Sequence, residues 1–206
     1  MANSTNINEL SQSAKEALVN FSQKEAVGFY VNRMKWVDIA TSTTTYVSGP
    51  TIVLSTSTSG ATLWSTRLTN PDFPRAITIV STASPNIGGI TFTGTDLLGG
   101  SFSETLTLNH LSTVTSVNAF NTITAISIPT NATTAGNFVV GVSASIGLNA
   151  PAMDNSTILG LVDGTRETTA PVITSSPDTK ANLVSFSTAP NGSRDLTLYY
   201  ISQSLL

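Results

Sequence analysis

Between Ala76 and Leu108, apolar and polar residues alternate in three successive runs. Ile77 and Ile79, then Ile90 and Phe92, then Phe102, Leu106 and Leu108 hold largely one parity within each run, with Thr and Ser between them. A period of two is the mark of half-buried strands. Pro85-Asn86-Ile87-Gly88-Gly89 and Asp96-Leu97-Leu98-Gly99-Gly100 separate the runs with residues suited to tight turns. The stretch therefore predicts an antiparallel meander with one solvated face.

The pattern continues towards the C-terminus. Strands are predicted at 114–117, 121–128, 137–148, 157–162, 168–175, 183–187 and 196–202, with turns at Asp163-Gly164, Ser176-Pro177-Asp178 and Pro190-Asn191-Gly192. Gly141 and Gly147 permit a bulge or the close approach of another backbone. Strands at this spacing predict an all-β chain, an antiparallel β-sandwich, of which a jelly roll is one version.

The N-terminal end carries a different period. Ile7, Leu10, Ala14, Ala17, Leu18 and Phe21 recur at three- and four-residue steps, predicting an amphipathic helix over residues 4–27. Ser4, Thr5 or Asn6 is placed to cap its start, and Gly28 its end. Two readings of the stripe stand: a helix that covers the sandwich, or an arm that docks on a neighbouring subunit. Residues 28–40 follow as an approximate alternation, a strand or a continuation of the helix, in which Trp36 either anchors the core or, with Tyr30, belongs to a contact surface. The domain plan is an arm and linking strand at 1–45 and a sandwich at 46–206.

Composition sharpens this. Of 206 residues only 10% are charged, and the net charge is −3. Hydroxyls take the place of charges on exposed faces, and β-branched Thr favours strands. So small a net charge gives little steering towards nucleic acid and little resistance to self-association. The start, MANSTNINEL, lacks the basic and apolar regions of a signal peptide, and no apolar stretch reaches membrane-spanning length. Synthesis in a cytosol is expected, with neither nucleic acid nor membrane as a partner.

Several segments together resemble a pattern found in structural proteins of tailed bacteriophages. They are Phe73-Pro74-Arg75-Ala76-Ile77-Thr78-Ile79, Thr93-Gly94-Thr95-Asp96, Leu98-Gly99-Gly100, Glu104-Thr105-Leu106-Thr107-Leu108 and Phe120-Asn121-Thr122-Ile123-Thr124-Ala125-Ile126. The resemblance covers residues 73–148 and implies a virion component, with the major capsid protein or other virion proteins as partners. A capsid decoration or cement protein is the favoured form, as a homo-oligomer expected to be a trimer. Tail, collar, neck or head-fibre proteins would share the pattern, and a glycan-binding module using Trp36, Trp64, Tyr199 or Tyr200 is a further alternative.

Candidate chemistry is sparse. There is no Cys and a single His, His110, so disulfides, thiolate metal sites and most catalytic triads are excluded. Twelve carboxylates leave an acid pair arithmetically possible, with Glu104 the acid considered for it. Asp96 is better explained by its turn, and Asp163 or Glu167 by an exposed ion pair with Arg166. No catalytic residue, metal ligand or cofactor is assigned. The expected sites are protein contacts at Ile7, Leu10, Leu18, Phe21, Tyr30 and Trp36.

Overall fold

The computed structural model describes residues 29–39, 52–54, 70–81, 89–107, 112–127 and 136–203. Within them the chain is all-β, with every strand pair antiparallel. The strands are β1 (Phe29–Trp36), β2 (Ile52–Leu54), β3 (Arg75–Ser81), β4 (Gly89–Thr95), β5 (Ser101–Thr107), β6 (Val114–Phe120), β7 (Thr122–Ser127), β8 (Gly136–Gly147), β9 (Ala152–Val162), β10 (Thr165–Arg166), β11 (Val172–Thr174), β12 (Leu183–Ser185) and β13 (Leu196–Gln203). A single 3₁₀ turn at Thr179–Ala181 is the one helical element among the described residues. The helix predicted over 4–27, with Ile7, Leu10, Leu18 and Phe21, lies outside them.

Three sheets form. A terminal sheet runs β1-β13-β9-β10, a central sheet runs β11-β12-β8-β3-β6 with β2 also on β8, and a third runs β5-β4-β7. The third sheet realises the predicted alternation on β4 and β5, but the predicted meander does not form as one sheet, because β3 pairs with β6 and β8 while β4 pairs with β5 and β7. On β4 the odd positions are half-buried while Ile90, Phe92 and Gly94 are buried, and on β5 Ser101, Ser103, Thr105 and Thr107 are exposed. Its outer hydroxyls pair across strands: Thr91 with Thr105 at 2.8 Å, Thr93 with Ser103 at 2.8 Å and Thr95 with Thr122 at 2.7 Å. Such cross-strand hydroxyl pairs stabilise a sheet face without charge.

Among the described residues two large cores organise the sheets, with a small third cluster at Ala76, Ala119 and Leu183. Ile77 and Ile79 of β3 and Val140 and Val142 of β8 bury against Ile90, Phe92, Leu106, Ile123 and Ile126 of the third sheet, with Phe120 between them. Phe120 stacks at 4.4 Å on Phe102 and meets Phe92 edge-on at 6.4 Å. The second core joins Ile146, Leu148, Val184 and Phe186 to Trp36, Leu196, Leu198 and Tyr200 of the terminal sheet. β8 serves both cores because it is long, and its even positions keep to the inner face.

The central sheet is irregular on both sides of β3. Ala76 faces Ala119 and Thr78 faces Thr115, so a two-residue step on β3 spans four residues of β6. On the other side Arg75 faces Ile146 and Ile77 faces Val142, which doubles the step on β8. Side chains replace the ladder bonds lost there. Ser116 Oγ accepts the Ile77 N–H at 2.8 Å and donates to the Asn118 carbonyl, and the fully buried Arg75 donates from Nε to the Ser143 carbonyl at 2.8 Å. Gly147 sits where a Cβ would come within 2.6 Å of the Ala119 Cβ, the close approach its sequence position anticipates.

Several boundaries move. β9 begins at Ala152, five residues before the predicted start, and the strand predicted over 168–175 shrinks to β11. Strand β1, expected as a link between arm and sandwich, pairs with β13 along its whole length, from Phe29 opposite Gln203 to Trp36 opposite Leu196.

Candidate interaction surface

The predicted contact residues within the described chain separate by burial. Tyr30 is 58% exposed at the outer end of β1. Trp36 is 2% exposed and meets Phe186 edge-on at 6.1 Å, so its ring belongs to the second core and is not available as a surface contact. The even positions of β1 face that core, and burial rises along them from Tyr30 through Asn32 and Met34 to Trp36. Val31, Arg33 and Lys35 occupy the opposite, exposed face.

Both cations on that face lean towards the body. The Arg33 guanidinium lies over the Tyr199 ring, 5.8 Å from its centroid, and Lys35 Nζ is 2.7 Å from Asp195 Oδ2. The hydrogen bond from Lys35, helped by the Asp38 N–H, holds the Asp195 carboxyl below its ordinary value of 3.8. Asp195 in turn donates its own N–H to Asp163 Oδ1 at 2.9 Å, while the Asp163 N–H returns to the Asp195 carbonyl at 2.8 Å. This locks the Asp163-Gly164 turn, whose residues take φ of 51° and 77°, onto the start of β13.

The remaining acids considered from the sequence are consumed by architecture. Asp96 Oδ1 accepts the N–H groups of Leu98 and Gly100 at 2.9 and 2.8 Å, forming its own turn. Glu104 points inward with Phe102 and Leu106 and spends both oxygens on the bulge of β6: Val117 N–H at 2.7 Å, Asn118 N–H at 3.1 Å and Asn118 Nδ2 at 2.7 Å. Glu167 corrects the expectation of an exposed pair with Arg166. It is 9% exposed, and its Oε1 accepts from Ser187 Oγ at 2.9 Å and Thr188 N–H at 2.7 Å, tying that loop to the end of β10.

The aromatic residues form no exposed platform on the last strand. Tyr199 and Tyr200, named from the sequence as residues a glycan-binding module would use, are both buried. Burial pushes the Tyr200 phenol up to about 12, and its hydroxyl donates to Asn149 Oδ1 at 2.8 Å. Trp64 and His110 lie outside the described residues.

The cleft between Leu98, Ala119, Leu148 and Lys180 holds about 10 Å³, room for one water. No group of three or more His, Asp or Glu among them could hold a metal ion. What the described surface offers is apolar side chains at edges and turns: Tyr30 and Val31 on β1, Val37 just beyond it, Leu98 in the Asp96 turn, Val117 on β6 and Val172 on β11.

Two residues that the sequence reading passed over carry much of this geometry. Arg75 is fully buried beside the β8 bulge, and Asn182 is a fully buried hub. Asn182 Oδ1 accepts from Ala152 N–H and Ser176 N–H, while Nδ2 donates to the carbonyls of Ser176 and Asp178. Only the Pro-Arg dipeptide of the phage-like pattern marked the first, and nothing local marked the second. Comparison of the chain with protein-family models, with curated proteins and with solved structures finds no match.

Proposed function

We propose that this chain is a non-enzymatic structural component of a tailed-phage virion, a decoration or cement protein on the outside of the capsid shell. The observation that carries the reading is the fate of the two acids in its phage-like motifs. Asp96 and Glu104 each accept backbone N–H groups, so the pattern that contains them encodes turns and strand docking and leaves no reactive carboxylate. Apolar side chains at sheet edges suit permanent contacts, each buried Å² contributing about 25 cal/mol.

In this reading the sheets form a β-sandwich, with a jelly roll as one version of it. Residues 4–27 form a helical arm whose Ile7, Leu10, Leu18 and Phe21 join Tyr30 in contacts with the major capsid protein or a neighbouring copy. Copies bridging adjacent capsomers resist the outward pressure of packaged DNA. The protein resides in the virion after assembly in the host cytoplasm and needs no cofactor. Placement at tail, neck or head fibre would use the same surfaces, since such folds are reused.

Cosedimentation with empty, tail-less capsids tests the reading. Saturable binding to shells supports it. Binding to isolated tails or necks alone moves the protein to those structures, and binding to neither overturns the virion reading.

A further inference from the structure

Strand edges differ in how well they are guarded. β10 and β11 are two and three residues long, β6 is bulged and clamped by Glu104, and β7 shifts register against β4. Shortness and bulging are the usual devices that keep an edge from pairing. β5 is regular, but Glu104 closes it onto β6. β1 has none of these protections: eight residues in continuous register with β13, and no partner on its outer edge among the described residues.

Charge on an edge is a further guard, and β1 carries Arg33 and Lys35. Both are turned away from the open side, Arg33 over Tyr199 and Lys35 onto Asp195. Tyr30 and Val31 stay exposed on opposite faces of the same stretch.

We propose that the outer edge of β1 pairs with β1 of a second copy of this chain, antiparallel about a twofold axis at Asn32. The inference goes beyond the virion reading and stands without it, because an edge pairs through its backbone whatever the larger assembly. Parity fixes the register. A twofold axis perpendicular to the sheet keeps inner faces with inner faces, so opposed residues must share parity. An axis at Arg33 would set Arg33 against itself, and like charges directly opposed are destabilising. An axis at Val31 pairs fewer residues. The axis at Asn32 sets Tyr30 against Met34 of the second copy, Val31 against Arg33, Phe29 against Lys35, and Asn32 against itself, with no like charges opposed. Two four-stranded sheets become one continuous sheet of eight.

A contact of this length buries less than the roughly 1,200 Å² of a stable interface, so the pairing is concentration-dependent and strengthens where copies are held side by side. The mass measurement below separates this twofold pair from the trimer expected from the sequence.

The absence of native cysteine makes the test direct. Single variants Asn32→Cys, Arg33→Cys and Ser101→Cys, each checked for native circular dichroism, are oxidised mildly at about 1 mM protein. Asn32→Cys should form a disulfide dimer about tenfold faster than the other two, since only position 32 faces itself at a Cα spacing of about 5 Å. Equilibrium sedimentation of the unaltered chain should show monomer and dimer, and Val31→Lys, at an exposed position, should weaken the dimer about tenfold by opposing Arg33. Equal cross-linking at positions 32 and 101, a single-chain mass at every concentration, or a trimer indifferent to Val31→Lys would each overturn the proposal.

Discussion

Glu104 holds Asn118 twice, accepting its backbone N–H at 3.1 Å and its side-chain amide at 2.7 Å, and so fastens β5 to the bulge of β6. The bulge turns backbone N–H groups out of the ladder, and the carboxylate takes the place of the missing strand. An acid that read as a catalytic candidate is thereby a splice between two sheets.

Glu104→Gln should therefore cost stability although it keeps the size of the side chain. One oxygen becomes an NH₂ facing amide donors, and the loss should be about 2 kcal/mol by urea unfolding. Glu104→Asp, one methylene too short to reach, should lose a similar amount.

Asn182→Ala would strip the Ala152 and Ser176 N–H groups of their side-chain acceptor and remove the amide donor from the Ser176 carbonyl, while the Asp178 carbonyl keeps the Ala181 N–H. A loss of roughly 3 kcal/mol is expected, with earlier amide exchange at Ala152 and Ser176 than elsewhere in the sheets.

Gly147→Ala brings a methyl group within 2.6 Å of the Ala119 Cβ and 3.1 Å of the Pro74 Cβ. Overpacking of this kind costs about 1–3 kcal/mol. Ala119→Gly in the same chain should restore part of it, and a double-mutant cycle measures how much.

Tyr30 and Trp36 should behave oppositely. Trp36→Ala empties the second core and should cost about 3–5 kcal/mol. Tyr30→Ala should change stability by less than about 0.5 kcal/mol, its effect falling on association instead.

Stability should fall at both ends of the pH range for separate reasons. The Tyr200 phenol titrates at 10.0 in the unfolded chain and at about 12 when folded, so its contribution is complete below pH 10.0 and is lost as the pH rises through about 12. Asp195 has a lowered folded value, so its contribution is present above pH 3.8 and is lost as the pH falls through that lower value. Tyr200→Phe should flatten the alkaline limb and Lys35→Met the acid one, as read from urea midpoints across pH.

The all-β class, the alternating faces of β4 and β5, and the Asp96 and Asp163-Gly164 turns are legible in the letters of the chain. These are local properties, set by a period of two and by residues that accept a turn or a positive φ. The tertiary structure alone decided which residues are covered on a second face. Tyr199 and Tyr200 alternate along β13, yet both are buried, Tyr200 in the second core and Tyr199 beneath the Arg33 guanidinium, through neighbours distant in the chain. Glu104, Arg75, Glu167 and Asn182 look like ordinary polar residues in the letters. Their roles exist only because bulges and loops elsewhere present backbone groups at hydrogen-bond distance, a property of the assembled sheets that no window of sequence contains.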